Sequence, residues 1–419
     1  MKNKIIIIFY SIILLLLLIT LYNKVATKNV TLNFYTHNSE MVDEIIDDFE
    51  KEYSNIKIKK QIIPPNTNRL EFITNALNND DTQIDIIDTD IVWVYNLAKN
   101  DLISPLDNYF SNKELNNFLS SSINGNIIDN QIYGIPYRTD TGILYYRKDL
   151  LKKYNQNVPK TFDDLIKTYN HISSKEEIYG FGGSWQSYEG LTCNALELLW
   201  SFGGEINLSD EDINNHTIIN TKDNEKAFKE IKNLIDKKIT HPNILEFYSG
   251  DLRDEFIKGN LLFMRDWPAG WNKIQNDELS ILKDKVGISY LPLGIIHGNN
   301  SGTLGGWQLT IAKKSKNHSE SANFIKFFTN YNNSKKLILE NSYLPARKNL
   351  YFDSDVINTM PFIKRNIDLF NNSKHRPFIK EYPAFSKILI ENLTLYLKSE
   401  ITLNNFLENT EQKLADIIK

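Results

Sequence analysis

Two α/β lobes joined by extended crossings are the fold this chain predicts, on three observations. At 419 residues the chain is too long for one ordinary hydrophobic core. Its first third alternates strand, helix, strand, helix, strand, the pattern of an open α/β sheet. From Gly134 an extended segment intervenes, and a fresh set of helices and strands follows it.

Val30, Leu32 and Phe34 alternate with polar residues, giving a half-buried strand. Met41, Val42, Ile45, Ile46 and Phe49 recur at helical spacing, with acidic residues on the other face. Ile56, Ile58 and Ile62 alternate with Lys57, Lys59 and Gln61 in a second strand; a helix over Leu70–Leu77 and a strand over Ile84–Ile87 complete the unit. Ligand crevices form where loops leave the C-terminal ends of such strands, here Thr36–Glu40 and Asp88–Trp93. Ile135–Tyr146 reads as extended, because Pro136 and the alternation exclude a helix. Thr161 followed by Asp164 is a helix-start signal. Ala227, Phe228, Ile231, Leu234 and Ile235 mark an amphipathic helix; Val286–Leu291 and Thr303–Ala312 read as strands, and Phe385–Ile418 as mostly helical.

Composition narrows the function classes. Hydrophobic residues make up 41% and charged residues 24%, a globular balance, and a net charge of −4 argues against a nucleic-acid partner. Lys2 and Lys4 precede an apolar run of roughly 18 residues, Ile5–Tyr22, near the minimum for a membrane-spanning helix. Residues 1–27 are therefore expected to be an export signal or a retained membrane anchor. Lys24 lies two residues before Ala26, a poor cleavage context that favours retention. No Cys follows the run, so no lipoprotein anchor is expected; the one Cys, Cys193, falls in the apolar stretch Leu191–Trp200 and reads as a buried thiol.

Chemistry-bearing residues gather where aromatics, carboxylates, Arg and Gly coincide outside the regular elements. Such groups suit a sugar pocket: flat aromatic faces stack on the C–H faces of a pyranose, and charged groups hydrogen-bond adjacent hydroxyls. Asp88 and Asp90 to Trp93, Tyr137–Asp140, Trp185–Glu189, Asp266–Trp271, Gly305-Gly306-Trp307 and Pro345-Ala346-Arg347 are the clusters. Taken singly, each has a plainer explanation; an Asp after a strand is more often a cap or turn residue. No G-x-S-x-G, Walker A, H-E-x-x-H or G-x-G-x-x-G motif occurs, and the seven His are scattered. No catalytic residue, metal site or cofactor is assigned, although Asp90 and Asp140 could in principle serve a glycosidase.

Four stretches make the chain recognisable: Leu144–Leu151, Tyr188–Cys193, Asp266–Trp271 and Thr303–Trp307. On these it resembles the extracellular solute-binding proteins of family 1, most nearly the trehalose/maltose-binding proteins of ABC importers, over about Val30–Lys419. The resemblance implies a type II periplasmic-binding-protein-like fold, lobe 1 from 28–139 with 300–345 and lobe 2 from 140–299 with 346–419. It implies an extracytoplasmic monomer that binds a di- or oligosaccharide by hinge closure and delivers it to the permease subunits. Position by position, Glu40, Arg69, Asp90 and Asp140 look like the family's polar sugar contacts and Trp267 and Trp307 like its stacking tryptophans. Gly305 and Gly306 would offer backbone N–H groups, and Arg347 looks like the late arginine that reaches the cleft. Three positions depart from the family's pattern: Ala269 and Arg138 stand where an aromatic is familiar, and Asp266 where Asn is common. A sugar-sensing module would share such a pocket, and a secreted glycoside-processing enzyme would cleave what a binding protein returns intact.

Overall fold

A computed structural model describes residues 29–36, 40–64, 69–208, 213–295 and 297–418. The apolar run Ile5–Tyr22 lies outside the described residues, and among those no helix is long and apolar enough to cross a membrane.

Twelve strands form the scaffold: β1 Val30–Thr36, β2 Ile56–Ile62, β3 Ile86–Asp90, β4 Ile127–Ile128, β5 Gln131–Ile132, β6 Ile135–Thr141, β7 Ile143–Arg147, β8 Tyr179–Gly182, β9 Leu261–Asp266, β10 Val286–Ser289, β11 Leu304–Ile311 and β12 Leu344–Pro345. A six-stranded sheet runs β12-β6-β11-β3-β1-β2, a four-stranded sheet runs β10-β7-β9-β8, and β4 with β5 makes a small hairpin. In the larger sheet β1 is parallel to β2 and β3, whereas β11 runs antiparallel to β3 and β6.

Apolar alternation builds the first lobe. Along β1 the odd positions Leu32 and Phe34 are wholly buried, and along β3 neighbouring residues divide between two cores. Ile86 packs with Phe34, Phe49 and Phe324 on one face, and Ile87 with Ile73, Val94 and Leu97 on the other. A sheet covered on both faces needs this residue-by-residue division, because successive side chains leave a strand on opposite sides. The second lobe has one large core in which the helix Glu189–Ser201, buried nearly throughout, meets the helices Lys222–Asp236 and Tyr382–Leu397, and the last helix, Leu403–Ile418, packs on both of those.

The crossings between sheets decide where a ligand can sit. β6 belongs to the larger sheet and β7 to the smaller, and Gly142 alone separates them. The return crossing reaches β11 through Gly302 and Thr303 and lies against the first: a Cβ on Gly302 would overlap the Gly142 backbone. Beneath both, the ion pair Glu197–Arg265 is almost wholly buried, and Glu197 also accepts the Thr303 backbone N–H at 2.9 Å and its hydroxyl at 2.6 Å.

Candidate functional site

The cleft opens above these crossings. A cavity of about 390 Å³, within the ~300–1,000 Å³ common for small-molecule sites, lies between the C-terminal ends of β3 and β9, the middle of β6, the start of β11 and the start of the helix Glu189–Ser201. Asp90, Asp140, Trp267, Gly305, Gly306 and Trp307 all line it. So do Arg138 and Ala269, two of the positions noted as departures.

Strand register brings these residues together. β11 pairs Gly305 with Asp140, and Trp307 with Asp90 on one side and Arg138 on the other. Gly306 has a φ of +136°, where a Cβ would come to 2.8 Å from the Arg138 carbonyl oxygen, so glycine is required there. The ring of Trp267 crosses from the other lobe to 3.1 Å from the position a Gly305 Cβ would take. Trp267 rests on the Arg265 guanidinium, 4.3 Å from its centroid, which ties the ring to the buried ion pair below. Trp307 meets Trp93 edge to face at 5.6 Å.

The charged residues fall into two groups. Asp90 caps the helix Ile91–Lys99, accepting the Val92 N–H at 3.2 Å, so the cap reading of an Asp after a strand holds here. Arg376 joins the two lobes, donating to Glu189 at 2.7 Å, to Asp90 at 3.4 Å and to the Leu304 carbonyl at 3.4 Å. Arg253 grips the buried Asp266 with two nitrogens. Asp140 is less satisfied. Its Oδ2 accepts from Arg138 at 3.3 Å, and its Oδ1 is buried with no hydrogen-bond partner. Burial pushes the Asp140 carboxyl up to about 6, against the pull of Arg138 and Arg253. Burial likewise raises Asp90 above the usual carboxylate range, with Arg376 opposing.

The Asp140 shift has a measurable consequence. Because the folded state holds this proton more tightly than the unfolded chain, its stabilising contribution is full below about pH 4 and is lost as pH rises through about 6. In urea unfolding, Asp140→Asn is expected to remove on the order of 3 kcal/mol of that decline between pH 4 and 7. Identical pH slopes in variant and native chain would contradict this burial effect.

Other predicted residues sit elsewhere. Arg69 opens the helix Arg69–Asn78 and lines an adjoining space of about 730 Å³, which shares Asp90, Tyr188, Glu189 and Trp307 with the first. Glu40 opens the helix Glu40–Glu52 after β1; its side chain lies outside what is described, as does Asn66. Arg347 does not line the cavity: its guanidinium packs 4.9 Å over the Phe118 ring. The arginine that does reach the cleft late in the chain is Arg376, which the sequence reading missed. Arg253, Ser249 and Tyr343 were likewise unforeseen, whereas Tyr188 and Glu189 belong to the predicted cluster Trp185–Glu189. Cys193 is buried, and burial pushes its thiol up to about 12. Among the described residues no cluster of metal-ligating side chains occurs.

A two-lobed receptor with a polar, tryptophan-walled cleft at its hinge is the class of protein that this fold and site define. Residues 44–364 match the bacterial extracellular solute-binding proteins, and the chain belongs to that family. It is 31% identical over 315 residues to a "Probable ABC transporter-binding protein" of Deinococcus radiodurans, spanning 74% of this chain and 73% of that one. The arabinooligosaccharide-binding protein of Bacillus subtilis is 23% identical over 308 residues, 71% and 68% of the two chains. Among solved structures, maltose-bound MalE3 of T. maritima superposes with a TM-score of 0.84 at 29% identity, covering 93% of this chain and all 100% of that one. The GacH receptor of Streptomyces glaucescens, at 22% identity and a TM-score of 0.79 over 93% and 98% of the chains, shares the fold. The architecture is thus the type II periplasmic-binding-protein fold that the resemblance implied.

Proposed function

We propose that this chain is the extracytoplasmic sugar receptor of an ABC importer, closing its lobes on a neutral di- or oligosaccharide and passing it intact to the permease. The observation that carries the reading is the juxtaposition in one cavity of Trp267, Trp307 and the Asp140 carboxylate, one oxygen of which has no protein partner. Tryptophan faces suit pyranose C–H faces, and a desolvated carboxylate oxygen suits a hydroxyl donor. On this reading Asp90, Asp140, Trp267, Trp307 and the Gly305-Gly306 backbone contact the sugar, with Glu40 and Arg69 at its outer end. Arg376 takes the role that the resemblance gave to Arg347. Lobe 1 comprises 28–139 with 300–345 and lobe 2 comprises 140–299 with 346–419, and residues 1–27 export the chain and hold it at the membrane.

Closure follows from differential contact: a sugar touching both lobes stabilises the shut state over the open one. No catalytic step is needed. Thermal unfolding against trehalose, maltose, sucrose and longer glucans tests the proposal. The matching sugar stabilises by RT ln(1 + [L]/Kd), about 2.7 kcal/mol at a hundredfold excess over Kd, and is recovered uncleaved. A panel that shifts nothing, or a sugar recovered hydrolysed, contradicts it.

A further inference from the structure

Arg138 and Asp140 lie two residues apart on β6 and both line the cavity. The Arg138 guanidinium is fixed between two rings, 4.0 Å from the Tyr343 centroid and 5.6 Å from that of Trp307, distances at which an aromatic face holds a cation. Pairing of β6 with both neighbours supports this, since Arg138 stands opposite Trp307 in β11 and Pro345 in β12.

The other two arginines of the cavity are committed to protein carboxylates, Arg253 to Asp266 and Arg376 to Glu189 and Asp90. Arg138 is not so fully used. Its one carboxylate bond, to Asp140, is long at 3.3 Å, and its Nε and the Asp140 Oδ1 have no protein partner; Arg376 also leaves its Nε unpartnered but spends its other nitrogens on Glu189, Asp90 and the Leu304 carbonyl. Both side chains line the cavity with hydrogen-bonding capacity that the protein leaves unfilled, which suits a ligand offering an acceptor and a donor together.

We propose that Arg138, held in place by Tyr343, is the specificity-determining donor of the cleft: it and Asp140 together read one pair of adjacent oxygens on a neutral sugar. The guanidinium donates to one oxygen, and the carboxylate accepts from the hydroxyl on the other. This rests on the sugar-binding reading above. A neutral ligand fits the charges present, because Arg138, Arg253 and Arg376 face four carboxylates, Asp140, Asp266, Asp90 and Glu189, and leave no excess cation for an anionic sugar. A planar donor locked at one angle separates epimers, since an inverted hydroxyl leaves it buried and unpaired again.

The test is calorimetric titration of maltose, trehalose and sucrose into the purified chain, followed by the monodeoxy analogues of whichever binds most tightly. Arg138→Gln should weaken that sugar roughly ten- to a hundredfold. One monodeoxy analogue, already weak with the native chain, should lose nothing further. Arg138→Lys, which keeps the charge without the planar fork, should give the same pattern and serves if the Gln variant does not fold. Tyr343→Leu should behave like Arg138→Gln, and Tyr343→Phe should retain native affinity. Undiminished binding by both Arg138 variants, or a loss equal across all the analogues, overturns the specificity role and leaves sugar binding standing. Failure of all three sugars, and of the longer glucans, to bind the native chain overturns both.

Discussion

Replacing Glu197 with alanine is expected to destabilise the folded chain by roughly 3–5 kcal/mol, read from urea unfolding at neutral pH. The side chain is 4% exposed and its partner Arg265 2%, so truncation strands a guanidinium in the interior. More than one bond is lost. Glu197 accepts from two Arg265 nitrogens, from the Thr303 N–H and from the Thr303 hydroxyl, fixing the return crossing to the second lobe. It also packs so tightly on Gly142 that a Cβ there would overlap it. Arg265 in turn supports the Trp267 ring, so the loss should reach the cleft. Glu197→Ala combined with Arg265→Leu should recover much of the stability, because the stranded charge is gone. A single-variant loss under 1 kcal/mol would show that this pair is not what anchors the crossings.

Arg376→Met should have the largest effect on binding. Arg376 is the one arginine of the cavity that contacts a carboxylate from each lobe, Asp90 and Glu189. Without it those two carboxylates face each other across the cleft with no cation between them, and closure would bring like charges together. Arg376 is buried, but Asp90 and Glu189 are 23% and 37% exposed, so the loss falls in the lower part of the range for a buried charge pair, about 2–3 kcal/mol, roughly thirtyfold to two-hundredfold in Kd. Calorimetry with the tightest-binding disaccharide measures it. A change within threefold would mean that the Asp90–Arg376–Glu189 bridge plays no part in holding the closed state.

Periodicity made most of the scaffold legible. The alternation of Val30, Leu32 and Phe34 became β1, and the extended stretch Ile135–Tyr146 became β6 and β7, split at Gly142. Thr161 accepts the Asp164 N–H as the start signal implied. Boundaries moved where tertiary pairing overrode pattern: β3 begins at Ile86, where its pairing with β11 starts, although the apolar run begins at Ile84. The cleft was legible where local motifs mark it, in Asp140, Trp267 and Gly305-Gly306-Trp307. Arg253 and Arg376 carried no such mark. Arg253 sits inside an ordinary helix, Ser249–Ile257, and finds Asp266 only through the fold. Arg376 meets partners 187 and 286 residues away. Arg347 shows the converse, a motif position whose side chain packs over Phe118.

In a sugar receptor of this design, the space between Trp267, Trp307 and Asp140 holds the sugar. A crystal structure of the chain with the disaccharide that most raises its unfolding temperature tests this most directly. The expected density shows a pyranose face on Trp307 or Trp267 and a sugar hydroxyl donating to the Asp140 Oδ1. A sugar bound anywhere else, with that oxygen still unpartnered, would contradict it.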